Sequence, residues 1–362
     1  MSGGSLIRLR AWMKSAGAGA AFITDPVSIG YLTGFLAEPH ERLLALVVTE
    51  AGAALIVPGL EEETASRTAQ DVELRIWLDG TDPWREVSAA LQGAGGGLAV
   101  EKNHLTLQSW ERLQALASPE AAPLDAGSVI RAMRALKDPI ELARLERAAQ
   151  ISDQVTMRAL ASVEPGRSEL EIANEVEMLI ASAGAQLSFE TIVGTGTNTA
   201  LPHLRPGPHR IREGDLFLID CGAAWEGYRG DISRTIVVGE SDRRQRDVFS
   251  VVLEAHDAAL AEVRAGVSAG QVDAAARAVI RGAALGDFFI HRTGHGLGLE
   301  AHEHPSLDPG SDTVLETGMV ITIEPGVYLP GWGGVRLEDD VVVELRRGRP
   351  LTQAELSLQK PD

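Results

Sequence analysis

One pattern limits the fold of this chain more than any other: its second half repeats itself. Gly214-Asp-Leu-Phe-Leu-Ile-Asp220-Cys-Gly222 is matched, 104 residues later, by Gly318-Met-Val-Ile-Thr-Ile-Glu324-Pro-Gly326. Each is a glycine turn, an apolar strand and a carboxylate at the strand's end. A second pair keeps the same order: Val163-Glu-Pro-Gly166-Arg-Ser168 and Val263-Arg-Ala-Gly266-Val-Ser268, 100 residues apart. Each serine stands where it would cap a following helix. Two matches at nearly one offset predict a domain of two halves related by a pseudo-two-fold axis. A length of 362 residues leaves room for another domain ahead of it.

That leading part reads as α/β. Apolar runs at Ala20–Ile23, Leu43–Thr49, Ala53–Val57 and Gly97–Glu101 predict strands. Helical spacing at Leu6–Ala16, Glu61–Gln70, Trp84–Leu91 and Leu107–Leu116 alternates with them. The stretch Ser118–Gly127 holds two prolines and no period, so a linker is expected there, dividing the chain into domains at 1–127 and 128–362. Beyond it, Asp138 and Pro139 are a cap and a first position for a long helix running to about Val163.

Composition narrows the class. The chain carries 33 basic and 51 acidic residues, a net charge of −18. That balance argues against coating nucleic acid or docking on an anionic membrane, both of which need basic surface. The longest apolar runs are far too short to span a bilayer, no secretory signal is visible, and the one cysteine, Cys221, excludes an internal disulfide. A cytoplasmic location is the expectation.

The chemistry gathers at the strand ends. An acid there is costly to bury unless it is paired or holds a cation. Asp220 is followed by Asp231 across a glycine-bounded hairpin, Gly222–Gly230, and Glu324 by Glu338 across a loop rich in glycine and proline. The duplication would bring the two pairs face to face, where like charges raise one another's pKa unless cations intervene. The segment His291-Arg-Thr-Gly294-His295-Gly-Leu-Gly298-Leu-Glu-Ala-His302-Glu-His304 holds four of the nine histidines, and glycines on both sides of His295 permit close backbone approach. Asp220, Asp231, His295, Glu324 and Glu338 form a set for two divalent ions. Oxygen-rich ligation with one imidazole favours Mn²⁺ or Co²⁺, with Zn²⁺ also able to bind.

On these residues the chain resembles the pita-bread metallopeptidases, in particular their Xaa-Pro branch of prolidases and aminopeptidase P. The motifs are Asp220-Cys-Gly, Gly230-Asp231-Ile-Ser-Arg-Thr235, Gly294-His295-Gly-Leu-Gly298, Glu324-Pro-Gly and Val335-Arg-Leu-Glu338-Asp. Phe22-Ile-Thr-Asp-Pro26 through Tyr31-Leu-Thr-Gly-Phe35 is similar to the branch's non-catalytic N-terminal domain. The implied fold is an α/β N-terminal domain followed by an α+β pita-bread domain. The resemblance implies that Asp220, bidentate, and Asp231 hold one ion, His295 and Glu324 the other, and Glu338 both. It implies further that Glu324 shuttles the proton and that His203 and His302 attend the scissile bond. His291 would line the proline side, while Arg336 and Tyr328 would orient Asp220. His209, His256 and His304 are expected as solvated histidines, and Cys221 as a small buried residue. A homodimer is also implied.

Substrate length is less tightly specified. A dipeptidase needs a cation for the free carboxylate. Ser306 stands where many prolidases place an arginine, so Arg42, in the polar loop Glu38-Pro-His40-Glu-Arg42, is the candidate cation. Prolidase on Xaa-Pro dipeptides is the leading reading, with aminopeptidase P on longer peptides as its alternative. A binding protein on this fold, or a creatinase-like hydrolase, would be expected to lack the metal set. Methionine aminopeptidase would lack the Tyr31–Phe35 domain.

Overall fold

The computed structural model describes residues 2–117 and 122–361, so residues 118–121 of the expected linker lie outside the described residues. The chain forms two compact units, Met1–Arg134 and Ala135–Asp362. No described helix is long and apolar enough to cross a membrane.

In the first unit, six strands form one mixed sheet in the order Glu73–Trp77, Ala53–Pro58, Ala45–Thr49, Ala18–Ile23, Gly97–Val100, Leu124–Asp125. Alternating side chains divide between two cores, one around Phe22, Val47 and Trp84, the other around Ile23, Leu46 and Leu55. Ahead of the expected linker, one strand and one α-helix were not expected. The strand Glu73–Trp77 interleaves Glu73 and Arg75 with apolar residues, a legible but short signal. The helix Pro26–Thr33 starts on Asp25, whose side chain accepts from Val27 N–H, and ends on the left-handed Gly34. Part of the expected linker is ordered: Leu124–Asp125 pairs with Ala99 and Val100, and Ala126 and Ile130 of the next helix enter the first unit's core.

The second unit contains the repeat. Asp138 and Glu141 form a reciprocal capping box on helix Pro139–Ala161, and Ser168 and Ser268 do the same with Glu171 and Gln271 on helices Glu169–Ser182 and Ala269–Gly282. Helix Arg243–Glu262 completes the second pair. In one half, Leu216–Cys221 runs antiparallel between Ile192–Thr195 and Ile232–Val237. In the other, Val320–Ile323 lies between His295–Gly296 and Asp339–Val343. The hairpin Gly326–Leu329 with Gly333–Arg336 completes the second half. His256 departs from the solvated role expected of it: it is buried, with Nε2 3.1 Å from Asp339 Oδ2. It lies on the helix face that packs on this half, and a histidine among alanines and valines gives no sequence signal of a buried acid opposite.

Glycines set the spacing of the strands that carry the acids. A Cβ on Gly222 would lie 1.9 Å from Gly230 O, and one on Gly294 would lie 1.9 Å from Thr322 O. Only glycine lets the His295 segment touch the strand that leads to Glu324. Gly294→Ala is expected to destabilise the fold by about 1–3 kcal/mol as the backbones are forced apart. Gly282→Ala, in a helix where an added Cβ meets nothing within 4 Å, should leave stability level or raise it by up to about 1 kcal/mol. Urea unfolding midpoints of the two variants test the contrast, and equal midpoints would refute it.

Candidate metal centre

Antiparallel pairing brings the four acids together. Ile232 faces Cys221 and Ser233 faces Asp220, so Asp231 sits just beyond the pair, beside Asp220. In the second half Ile323 faces Asp339, which places Glu324 and Glu338 at adjacent strand ends. The halves join at this point: Glu338 N–H donates to Ser233 O (3.1 Å) and Asp231 N–H to Asp340 Oδ2 (3.0 Å). Asp220, Asp231, His295, Glu324 and Glu338 all line one cleft of about 1340 Å³. Ligand atoms of Asp231, His295 and Glu338 fall within 4.8 Å of one another.

The protonation pattern fits cations. Burial, and then the neighbouring carboxylates, push Asp231 and Glu338 well above the usual carboxylate range, and burial raises Glu324 to about 7. His295 lies 3.1 Å from Gly296 O through Nδ1, which therefore carries the proton. Its Nε2 turns a lone pair toward Glu324 Oε1 at 3.3 Å and Asp231 Oδ2 at 3.9 Å. Burial lowers this imidazole to about 3, so protonation does not relieve that opposition. Asp220 Oδ1 is buried without a hydrogen-bond partner among the described residues. Lone pairs converging from five side chains, one oxygen unpaired, are what divalent cations satisfy.

Around this set the polar groups form a chain with defined donors. Arg336 donates through Nη2 to Asp220 Oδ2, through Nε to Ser233 Oγ (2.8 Å) and through Nη1 to Tyr328 Oη (2.9 Å). Ser233 Oγ passes its proton toward Glu338 Oε2 at 2.7 Å. Tyr328 Oη lies 2.9 Å from His291 Nε2, and His291 Nδ1 lies 2.7 Å from Arg292 O. Because the carbonyl only accepts, Nδ1 carries the proton and Tyr328 O–H donates to Nε2. Burial lowers His291 to about 4, in keeping with that neutral tautomer.

His302 stacks edge-on against His295 with centroids 4.3 Å apart, and His203 reaches the same cleft from the loop after Ala200. Both are exposed to the cleft. Arg42 belongs to the first unit, where Nε and Nη2 grip Asp79 and Nη1 meets Glu41. Cys221 is buried against Thr156, and burial pushes its thiol up to about 12. Two groups escaped the sequence reading. Ser233 shares a strand face with Asp231 and Thr235, an alternation visible in Asp231-Ile-Ser-Arg-Thr235. Arg292 lines the cleft and donates to Ser306 Oγ at 2.9 Å, and nothing in its position between two histidines announced this.

Known proteins resemble this chain along nearly its whole length. Residues 143–344 match metallopeptidase family M24, and residues 6–136 match the Creatinase/Prolidase N-terminal domain. A putative dipeptidase of Bacillus subtilis is 38% identical over 351 residues, 96% of each chain. An Xaa-Pro dipeptidase of Lactobacillus delbrueckii subsp. lactis is 34% identical over 361 residues, 98% of each. A solved prolidase from Thermococcus sibiricus matches with a TM-score of 0.93 at 34% identity, covering 99% of both chains. The second unit is thus a pita-bread domain that requires divalent metal ions. Both units being matched in order, the chain belongs to metallopeptidase family M24.

Proposed function

We propose that this enzyme hydrolyses the Xaa-Pro bond of dipeptides, releasing the N-terminal residue. One observation carries the reading: a five-residue cation set shares its cleft with three histidines and with Arg292, whose guanidinium meets no carboxylate among the described residues. Asp220 and Asp231 would hold one divalent ion, His295 and Glu324 a second, and Glu338 both, with Mn²⁺ or Co²⁺ ahead of Zn²⁺. When bound, such ions supply Lewis acidity and make water a nucleophile at neutral pH.

The chain's own residues do the rest. Glu324 is the one acid of the set that is not fully buried. Facing the cleft, it takes the proton from the attacking water and returns it to the proline nitrogen as the C–N bond breaks. That nitrogen carries no hydrogen in the substrate, so the delivered proton is its first. His203 and His302 donate to the carbonyl oxygen as negative charge builds on it. His291, held by Tyr328, lines the proline side, and Arg336 fixes the orientation of Asp220.

Arg292 reads the proline carboxylate. Among the described residues its guanidinium donates to a neutral hydroxyl, which leaves its charge for an anion. Arg42 is already matched by two carboxylates of its own unit. This supports dipeptides over longer Xaa-Pro-Yaa peptides, whose proline carbonyl is uncharged. The enzyme is proposed to act as a homodimer on a proline-containing peptide.

Chelation should abolish hydrolysis of Ala-Pro, and Mn²⁺ or Co²⁺ should restore it above Zn²⁺. Activity surviving complete metal removal, or Met-Ala cleaved in place of Ala-Pro, would overturn the assignment. Arg292→Ala should raise KM for Ala-Pro by about ten- to a hundredfold, the worth of a charged hydrogen bond, and change that for Ala-Pro-Ala by less than about twofold. Selective loss in Arg42→Ala instead would move the role to Arg42.

A further inference from the structure

We propose that Glu169 is a positioning residue that fixes His203 by tying together both ends of the loop that carries it. The inference rests on the role given to His203 above. After strand Ile192–Thr195 the chain makes a short 3-10 turn, Gly196–Ala200, and then runs through Leu201–Gly207 without a helix or strand. Leu201 to Pro206 all line the cleft, and His203 itself is exposed, so packing alone does not set its place.

Glu169 stands outside the cleft lining, at the first position of helix Glu169–Ser182, and is only 1% exposed. Its Oε1 accepts from Thr195 N–H at 3.0 Å and from Asn198 Nδ2 at 2.8 Å, at the loop's start. Its Oε2 accepts from Gly207 N–H at 3.2 Å, at the loop's end. Leu170 N–H closes the same end on Gly207 O at 3.0 Å.

The helix does not need this acid for its own start. Ser168 and Glu171 already form the capping box there, with Glu171 Oε2 accepting from Ser168 N–H. The three donors to the Glu169 carboxylate, Thr195, Asn198 and Gly207, bracket the loop. Only an ionised carboxylate of this length accepts on both edges: a glutamine would turn an NH₂ toward one set of donors, and an aspartate would not reach both. Other anchors include Thr195 Oγ1, which donates to Asp215 Oδ2 (3.1 Å), Thr199 Oγ1, which accepts from Gly334 N–H (2.7 Å), Arg336 Nη1, which reaches Pro202 O at 3.4 Å, and the exposed Arg205–Glu190 ion pair at 3.3 Å.

The test is a double-mutant cycle on the metal-loaded enzyme with Ala-Pro as substrate. Glu169→Gln should lower kcat by about ten- to a hundredfold, the cost of misplacing a catalytic group by about 1 Å, with metal content unchanged. Chymotrypsin should cut Glu169→Gln after Leu204, where the wild type resists. In the His203→Ala background, Glu169→Gln should cost less than about twofold further, because its effect runs through His203. An equal factor in both backgrounds, or a wild-type kcat in Glu169→Gln, would overturn the proposal. Should Glu169→Gln fail to fold, Asn198→Ala removes one of the three bonds and must show the same non-additive loss in smaller measure. A fully active His203→Ala sinks the role of His203 and this inference with it, whereas an impaired His203→Ala with additive losses sinks Glu169 alone.

Discussion

Four carboxylates, three buried and Glu324 half-buried, around one neutral imidazole are the constraint on which the second unit depends. Two like charges about 4 Å apart repel by about 4 kcal/mol at an effective dielectric near 20, and here Asp231 and Glu338 come within 4.8 Å of one another while Asp220 and Glu324 line the same cleft. Arg336 offsets part of this through Asp220. It cannot reach Asp231, and Glu338 meets it only through the hydroxyl of Ser233. Without cations the set is either strained or protonated. With them each acid would return to its charged form, so the duplicated strand ends are suited to hold ions, and their convergence is not a means of stabilising the bare fold.

The holder works because neither half owns the site. Arg234, among the largest fully buried side chains, spans the seam. It donates to Ser233 O and Glu338 O through Nη1, to Asp339 through Nη2 and to Ala354 O through Nε and Nη2. Thr352 Oγ1 donates to the same Asp339 carboxylate, and Asp153 accepts from Gln353 and Ala354 N–H. A buried arginine is tolerable only when its donors are met, and here they are met by Ser233 O and Glu338 O at the acid-bearing strands, by the Asp339 carboxylate and by Ala354 O of the C-terminal segment. The C-terminal segment is thereby fastened beneath the site.

What the sequence disclosed and what it hid follow from the range of each interaction. Caps and strand-ending acids were legible because their signals are local: Asp138, Ser168 and Ser268 announce helices within four residues, and Asp220 and Glu324 close apolar runs. The helix Pro26–Thr33 and strand Glu73–Trp77 were missed because short elements compete with turn signals on nearly equal terms. His256 against Asp339 and Arg292 against Ser306 span 83 and 14 residues, and no periodicity encodes such meetings. The end of the first unit was obscured for a related reason. Prolines and the absence of a period suggested a linker, yet two residues, Leu124 and Asp125, suffice to add a strand to a waiting sheet edge.

The same distinction separates the chemistry from its selectivity. Every metal-set residue lies in a strand or at its end, where register fixes it to within a fraction of a residue. His203, Arg292 and His302 lie on connecting segments: Arg292 donates to Ser306, His302 stacks on His295, and His203 is carried by a loop without helix or strand. On the proposed assignment, changing a strand-borne ligand would therefore disturb the ions and the seam between the halves together. Changing a loop residue alters what the cleft grips and leaves the ions in place. Substitutions that redirect substrate length on this scaffold belong on the loops, and the buried acids that tether those loops bear on that choice without touching the substrate.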